Sequence, residues 1–256
     1  MDVTPAPISV QLYTLRDACA ADFAGVLTRL GDIGFVGVEL AGFHGLTPTE
    51  FARVAADSGL QVSSGHIGDP SADALGPALD ALQAVGCSTA VLAFLPPAAF
   101  ADLDAVHRSA DALNEASAVA AGRGMTLGYH NHFWEFQTSI DGRAAWWHLF
   151  DRLDPAVFAE LDTYWTRVGG ADPVEVIGAM GDRVQLVHVK DGPADEPAHA
   201  MVAVGSGVMD VPGVLGAATS ARWHIVELDR CDTDMFDAVE ASYHFLVDGG
   251  LSRGRR

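Results

Sequence analysis

The segment Thr126-Leu-Gly-Tyr-His-Asn-His-Phe-Trp-Glu-Phe136 sets the pattern for the whole chain. Its apolar start is typical of a β-strand, and it ends in a cluster of imidazole and carboxylate groups. Three later segments are built in the same way: 157–162 ends on Asp162, 184–191 on His188, Lys190 and Asp191, and 223–229 on Glu227 and Asp229. Four successive predicted strands therefore carry ligand-type side chains at their carboxyl ends.

The remainder of the chain also alternates between strand and helix patterns. Further strands are predicted at 8–13, 35–40, 61–66 and 88–94, and helices at 19–31, 47–59, 71–85, 101–121, 144–153, 172–180, 212–220 and 232–247. Eight such units in 256 residues predict one α/β domain, a (β/α)₈ barrel over 1–256, with residues 1–7 and 251–256 frayed. A doubly wound sheet is the alternative, but residues 13–17 are not a glycine-rich phosphate loop.

Composition and charge exclude several classes of function. Asp and Glu total 34 against 15 Lys and Arg, a formal net charge of −19, which repels nucleic-acid phosphates and anionic membranes. The chain has no apolar run near the roughly 20 residues that span a bilayer, and its start does not resemble a signal peptide. Three distant cysteines without a CxxC motif predict reduced thiols and a cytoplasmic location.

Lys190 is the only lysine in the chain, and every other permanent cation is arginine. Because it lies two residues beyond His188 on the same predicted strand, the two side chains should share a face. A compact ammonium there could stabilise an oxyanion or take part in proton transfer. The structural alternative is a salt bridge to Asp191, Asp162 or Glu227.

Barrel closure would bring the strand ends together at one face. Glu135, Asp162, His188 and Glu227 would then offer three carboxylates and one imidazole, a set that suits Mn²⁺, Mg²⁺ or Co²⁺ better than a structural zinc site. A carboxylate at one strand end often caps a helix, and a lone strand histidine is commonly a core residue. The recurrence on four strands is what predicts a metal site, with His130 and His132 competing with Glu135 as the first ligand.

Other polar and aromatic side chains near the strand ends are candidates for catalysis or substrate binding. His132 is a candidate general base or ligand for a substrate hydroxyl, and the alternative is that one of this histidine pair orients a metal ligand. Trp165 could stack on the apolar face of a sugar or simply pack at the barrel mouth. The remaining candidates for substrate contacts are Tyr13, Glu39, His66 and His130.

Taken together, these residues make the chain resemble the sugar phosphate isomerase/epimerase family, the xylose isomerase-like TIM barrels, in its Tyr-His-Asn-His subgroup. The similarity extends nearly end to end and is specific only in combination. It is carried by Val10-Gln-Leu-Tyr-Thr-Leu-Arg16, Gly37-Val-Glu-Leu40, Tyr129-His-Asn-His132 with Glu135-Phe136, Glu160-Leu-Asp-Thr-Tyr-Trp165, His188-Val-Lys-Asp191 and Val226-Glu-Leu-Asp229.

The resemblance implies one divalent metal, Mn²⁺ first and Mg²⁺, Co²⁺ or Zn²⁺ as alternatives. By motif its ligands fall on Glu135, Asp162, His188 and Glu227. Many epimerases of the family place a glutamate where this chain has His130, and in the subgroup a glutamate follows a few residues later, here Glu135.

The implied activity is isomerisation or epimerisation of a keto-sugar or related polyol through an enediolate. The catalytic residues would be His132 or a ligand glutamate (Glu135, Glu227) as base, with Lys190 stabilising the developing charge. Dehydration of an inosose or 3-keto-sugar is the first alternative. A non-catalytic sugar-binding or subunit barrel is the second, and an apurinic endonuclease is disfavoured by the net charge of −19. Homo-oligomerisation is a further expectation.

Overall fold

The protein folds as a closed barrel of parallel strands, in a computed structural model that describes residues 4–255. The barrel strands are β1 (Ile8–Gln11), β2 (Gly37–Leu40), β3 (Gln61–Ile67), β4 (Thr89–Leu92), β5 (Thr126–His130), β6 (Phe158–Asp162), β7 (Val184–Val189) and β8 (Trp223–Val226). Each strand pairs in parallel with the next, and β8 closes onto β1. The predicted (β/α)₈ fold is confirmed.

Helices connect the strands around the outside of the barrel. They are α1 (Arg16–Ile33), α2 (Pro48–Asp57), α3 (Ala72–Ala84), α4 (Leu103–Ala121), α5 (Trp134–Gln137), α6 (Ala145–Arg152), α7 (Thr163–Val168), α8 (Pro173–Met180), α9 (Val211–Ala217) and α10 (Met235–Asp248). The sequence did not predict the short helices α5 and α7, or the hairpin of Ser139–Ile140 with Arg143–Ala144. None of the helices in the described range is both long and apolar enough to cross a membrane.

Helix starts follow from local capping chemistry. The Thr47 hydroxyl accepts a hydrogen bond from the Glu50 amide, and the Glu50 carboxylate accepts one from the Thr47 amide at 2.8 Å, which forms a capping box. Asp172 caps α8 by accepting from the amide of Val174. In both helices proline occupies the first turn, where its missing N–H costs no hydrogen bond.

The barrel interior is filled by a small apolar layer beneath the polar strand ends. Val91, Phe158, Leu186 and Ile225 form this layer, and a Cβ at Gly128 would lie 2.3 Å from the Phe158 ring. Because side chains two residues apart on a strand share a face, the next inward positions above this layer are polar. They include Glu160 after Phe158, His188 after Leu186 and Glu227 after Ile225.

The end of the chain pairs with its beginning. The Arg253 amide donates to the Ala6 carbonyl at 2.9 Å, and the Ile8 amide donates to the Arg253 carbonyl at 2.9 Å. Arg255 extends the contact by donating from Nη1 to the Ser58 carbonyl at 2.7 Å. The tail is thus hydrogen-bonded to the barrel up to residue 255, where the sequence predicted fraying, whereas residues 1–3 and 256 lie outside the described range.

Candidate metal centre

Three of the four predicted metal ligands converge at the carboxyl ends of β6, β7 and β8. Asp162, His188 and Glu227 are all buried, and Nδ1 of His188 lies 2.7 Å from Oε2 of Glu227. With His130 they form a set whose potential ligand atoms all lie within 4.8 Å of one another. We call His130, Asp162, His188 and Glu227 the upper group.

Glu135, the fourth predicted ligand, belongs to neither of the ligand sets found among the described residues. Its carboxylate accepts hydrogen bonds from the Tyr129 hydroxyl at 2.6 Å and from the His132 amide at 3.1 Å. Tyr129 precedes the inward-facing His130, so its side chain lies on the opposite, helix-facing side of β5, where it packs near Trp146. The short helix α5 directs Glu135 to that side, and His130 occupies the place we expected for it.

A second set lies next to the first and shares two histidines with it. It consists of His66, His130, Glu160 and His188, which we call the lower group. Nε2 of His66 lies 2.7 Å from Oε2 of Glu160, and Nε2 of His188 lies 3.2 Å from the same oxygen. Glu39 lies next to the lower group, with its Oε1 2.8 Å from Nε2 of His188.

The two shared imidazoles present one nitrogen to each group. His188 places Nδ1 towards Glu227 and Nε2 towards Glu39 and Glu160, while His130 places Nε2 3.8 Å from Asp162 and Nδ1 3.2 Å from Glu160. A neutral imidazole carries one proton, so a nitrogen that binds metal leaves the other to donate to a carboxylate. One group can therefore hold a cation while the other orients the shared histidines.

The donor atoms fit a divalent cation at the upper group. Oδ1 of Asp162 already caps α7 by accepting from the Trp165 amide at 2.8 Å, whereas its buried Oδ2 accepts no backbone hydrogen bond in the described structure. That oxygen lies 2.8 Å from the Lys190 ammonium and 3.8 Å from Nε2 of His130. A mixed set of carboxylate oxygens and imidazole nitrogens is one that Mn²⁺ and similar cations accept. A carboxylate oxygen has two lone pairs, so Oδ2 of Asp162 can bind a cation while it also accepts from Lys190, and the upper group has the ligand capacity that a metal requires.

Lys190 is buried beside the upper group rather than facing open space. Its Nζ lies 2.8 Å from Asp162, 2.7 Å from Glu227 and 2.7 Å from Asp229. Three carboxylates match the three N–H bonds of an ammonium, which leaves it no donor for a substrate. Burial opposes the charge, but these carboxylates hold the pKa of Lys190 well above its usual value. The contacts to Asp162 and Glu227 match the salt-bridge alternative.

The buried charges in and beside the lower group raise the pKa values of His66, Glu160 and His188. Burial alone would lower the pKa of His66, but Glu39 and Glu160 raise it to about 10. Burial raises the pKa of Glu160, and the nearby Glu39 raises it further. The pKa of His188 is shifted in the same direction as that of His66. Burial lowers it, but the neighbouring carboxylates raise it well above the usual value. The buried carboxylates thus attract positive charge, whether as protons or as a metal ion.

Glu39 is placed beneath the site rather than at its surface. It is fully buried, and its carboxylate accepts hydrogen bonds from Gln11 and Ser64 in addition to its contact with His188. A carboxylate enclosed in this way has no path to a substrate hydroxyl. The structure therefore does not bring this predicted substrate-binding residue to the cavity; it supports His188 instead.

A cavity of about 500 Å³ opens above the upper group. It is lined by Tyr13, Ala41, Gly42, His66, Ile67, Gly68, Ala93, Phe94, His130, His132, Glu227 and Asp229. Six predicted site residues lie outside this lining: Glu39, Glu135, Asp162, Trp165, His188 and Lys190. Of these, Trp165 packs against Phe133 and Tyr164. The cavity thus joins Tyr13, His66, His130 and His132 to one face of the candidate metal site.

His132 stands at the wall of this cavity in a neutral form. Burial, together with the positive charge of Lys190, lowers its pKa to about 3. Its ring stacks on Trp134 at a centroid distance of 4.5 Å, and its buried Nδ1 has no hydrogen-bond partner in the described structure. A neutral imidazole with a free nitrogen is suited to hydrogen bonding with a hydroxyl, the second of its two predicted roles.

Sequence reasoning did not identify Glu160 and Asn131 as site residues. Glu160 precedes Asp162 by two residues, so the alternation of strand side chains was a sufficient signal that both face the interior. Asn131 joins β5 to β6: its Oδ1 accepts from the Asp162 amide at 2.9 Å, and its Nδ2 donates to the Asp162 carbonyl at 3.2 Å. No pattern in one strand reveals such a link between two.

Comparison with known proteins gives a consistent set of similarities. A family model described as xylose isomerase-like TIM barrel matches residues 27–232. The inosose dehydratase of Geobacillus kaustophilus is 25% identical over 219 residues, which is 73% of this chain and 70% of that protein.

Solved structures share the fold at lower sequence identity. A sugar phosphate isomerase/epimerase from Parabacteroides distasonis superposes with a TM-score of 0.84 at 23% identity, over 99% of this chain and 98% of that one. An L-ribulose 3-epimerase superposes with a TM-score of 0.70 at 17% identity, over 96% of this chain and 94% of that one. Both superpositions cover at least 96% of this chain.

Proposed function

The chain belongs to the xylose isomerase-like TIM barrel family, and from this premise we propose that it is a divalent-metal-dependent enzyme acting on a sugar- or cyclitol-type ketone. Mn²⁺ is the proposed metal, with Mg²⁺, Co²⁺ or Zn²⁺ as alternatives. The observation that carries the proposal is the upper group, four potential ligands within 4.8 Å of one another beside a cavity. Relatives named as epimerase and dehydratase support the same class of substrate.

The proposed ligands are His130, Asp162, His188 and Glu227. A divalent cation held by them would polarise a carbonyl and its neighbouring hydroxyl, which acidifies the C–H bond between them. His188 would hold the cation with Nδ1, while its Nε2–H donates to Glu39 or Glu160 and so fixes the tautomer and orientation of the ring.

The residues around the proposed metal have separate roles in the reaction. Glu227 lines the cavity and is the proposed base, which removes the proton from the carbon next to the carbonyl to give an enediolate. His132, which is neutral, binds a substrate hydroxyl. Lys190 acts as a positioning residue that holds Asp162 and Glu227, so the oxyanion role expected from the sequence is reassigned. Glu135 supports the segment around His132 through the His132 amide.

The fate of the enediolate decides the reaction class. Reprotonation at the former carbonyl carbon gives isomerisation, and reprotonation of the original carbon on its opposite face gives epimerisation. These two reactions together are our first choice. Departure of a β-hydroxyl with a proton gives dehydration, which the similarity to an inosose dehydratase favours as the second candidate. Both reactions share the first proton transfer, so one exchange experiment serves for both.

Two further expectations accompany the proposal. All three cysteines are free thiols, in accord with a reducing, cytoplasmic location. The net charge of −19 favours a small neutral substrate over nucleic acid, and assembly into a homo-oligomer stays a prediction.

The test is the metal content of the purified protein after Mn²⁺ loading and gel filtration, with Glu227→Gln and Glu135→Gln as a matched pair. Both residues are buried glutamates close to β-strand ends, but only Glu227 belongs to the upper group. We expect about one Mn²⁺ per chain in the wild type and in Glu135→Gln, and loss of metal in Glu227→Gln. The loaded wild type should also exchange an α-proton of ketoses or inososes with D₂O.

Other outcomes would contradict specific parts of the proposal. Metal lost only in Glu135→Gln would move the first ligand back to Glu135. Absence of bound metal in the wild type after loading would overturn the enolisation chemistry and favour the non-catalytic barrel. Bound metal without exchange on any ketose or inosose would leave a metal protein but contradict the proposed reaction.

A further inference from the structure

The two sides of the cavity differ in chemistry. The side formed after β5 and β8 carries His130, His132, Glu227 and Asp229, whereas the side formed after β1 to β4 carries mainly apolar groups. Two large aromatic rings stand on that apolar side, and both are unusually open. Tyr13 is 45% exposed and Phe94 is 46% exposed, although both line the cavity.

Both rings are held in place from behind. The Phe94 ring packs edge-on against His132 at 5.4 Å and against Trp134 at 5.5 Å. Tyr13 is backed by Arg16, whose guanidinium carbon lies 4.4 Å from the ring centroid. Arg16 is itself fixed by donating to the carbonyls of Tyr13 and Asp229, at 2.9 and 3.1 Å. The open parts of the two rings are therefore a supported surface rather than two mobile side chains.

The wall between the two rings is made of small residues. It includes Ala41, Gly42, Gly68 and Ala93, and a Cβ placed at Gly42 or Gly68 would meet no atom within 4 Å. These four residues carry no polar side chain, although His66 lines the cavity on the same side and Tyr13 carries a hydroxyl. Along them a second sugar ring would leave most of its hydroxyls without side-chain partners, whereas a flat apolar group needs none.

The charges around the cavity disfavour a phosphorylated ligand. Within the described residues, no lysine or arginine lines it, and Glu227 and Asp229 do. Lys190 is occupied by three carboxylates, and Arg16 is directed to backbone carbonyls. A phosphate group would therefore meet Glu227 and Asp229 without a lysine or arginine, and the positive charge of His66 is already paired with Glu39 and Glu160.

We propose that the substrate is a sugar- or cyclitol-type ketone carrying an aromatic substituent, which lies against Tyr13 and Phe94 while the ketone ring reaches the upper group. This inference rests on the proposed function and specifies its substrate class. The cavity of about 500 Å³ has the volume of sites that bind ligands larger than one sugar ring.

The experiment measures binding by isothermal titration calorimetry on the Mn²⁺-loaded protein. The probes are 4-nitrophenyl β-D-glucoside, methyl β-D-glucoside and glucose 6-phosphate. We expect the nitrophenyl glucoside to bind about tenfold tighter than the methyl glucoside, because the aromatic contact adds to the binding of the same sugar. Glucose 6-phosphate should bind most weakly. Equal affinities for the two glucosides, binding of neither, or preferential binding of the phosphate would each overturn the inference.

Variants test whether the two rings are the cause. Phe94→Ala should weaken binding of the nitrophenyl glucoside about tenfold and leave the methyl glucoside within about twofold. Phe94→Leu, which keeps apolar volume without a flat ring, should lie between. Phe245→Ala is the matched control, since Phe245 is 37% exposed on α10, outside the cavity lining. Equal weakening of both glucosides in Phe94→Ala would show a structural effect and contradict the assignment.

The result is separable from the proposed function. Metal content and proton exchange with D₂O report on the upper group, whereas the ratio of the two glucoside affinities reports on Tyr13 and Phe94. If the protein binds metal but does not prefer the nitrophenyl glucoside to the methyl glucoside, only the inference about the substituent is contradicted. If the wild type binds no metal after loading, the proposed function itself is contradicted.

Discussion

The upper and lower groups share His130 and His188 and differ in what neutralises their carboxylates. In the upper group a permanent cation, Lys190, contacts Asp162 and Glu227. In the lower group, Glu160 and the adjacent Glu39 are instead faced by imidazoles: His66 lies 2.7 and 3.1 Å from them, and His188 lies 3.2 and 2.8 Å from them. An ammonium cannot accept a metal, whereas a protonated imidazole can give up its proton for one.

The difference indicates a division between binding and support. The upper group borders the cavity through His130 and Glu227, so a cation held there can meet a substrate. The lower group also reaches the cavity, through His66, but its carboxylate Glu160 and the adjacent Glu39 are fully buried and contact nitrogens of His130 and His188. The lower group is thus the outer support that fixes the ligands of the upper group.

The largest expected effect comes from removing the cation of the upper group. Lys190→Met leaves Asp162, Glu227 and Asp229 buried without it, so the metal-free protein should lose about 3–5 kcal/mol of unfolding free energy. Urea denaturation in EDTA measures this loss. Added Mn²⁺ should restore part of it, because a bound cation neutralises the same carboxylates.

The exposed pair of Arg143 and Asp151 is the matched control, with side chains 45% and 62% exposed. Arg143→Met should change the unfolding free energy far less, because solvent screens the pair. If the two variants lost equal unfolding free energy, or if Lys190→Met lost none, Lys190 would not be the group that balances the buried carboxylates.

A smaller effect is expected from the lower group. Glu160→Gln keeps the shape but removes the charge that faces His130 and His188, so Mn²⁺ affinity should fall about 10- to 100-fold without being abolished. Competition with a fluorescent chelator measures this. Complete loss of metal, as expected for Glu227→Gln, would make Glu160 a ligand and reverse the roles of the two groups. Glu135→Gln, outside both groups, serves as the control with unchanged affinity.

The roles of the two groups also show how far sequence reasoning reaches. Strand–helix alternation was enough to predict the barrel, and closure then placed Asp162, His188 and Glu227 together, because strand ends meet wherever a parallel barrel closes. Glu135 lies outside both ligand sets because α5 directs it behind β5, and a four-residue helix leaves little periodic signal in the sequence. Glu160 could have been found from strand alternation, but its contacts with histidines on β3, β5 and β7 depend on the register between strands.

The smallest expected effect concerns a buried histidine that has no carboxylate partner. His224 on β8 is 4% exposed, and its Nδ1 lies 2.8 Å from the Ser252 hydroxyl. Burial lowers its pKa to about 4, in contrast to His66, whose carboxylates raise its pKa to about 10. The unfolded chain, with a histidine pKa of about 6.5, binds this proton first, so His224 should cost stability as pH falls from about 6.5 towards 4.

His224→Gln should remove that component of the pH dependence. The difference in unfolding free energy between variant and wild type should be constant above pH 7 and shift in favour of the variant by about 1 kcal/mol at pH 5.5. Urea denaturation at several pH values measures it, with His244→Gln on the exposed face of α10 as the control that should show no such shift. If the unfolding free energies of His224→Gln and wild type ran parallel over the whole pH range, the buried His224 would have an ordinary pKa. The contrast with His66, which is paired with carboxylates, would then be contradicted.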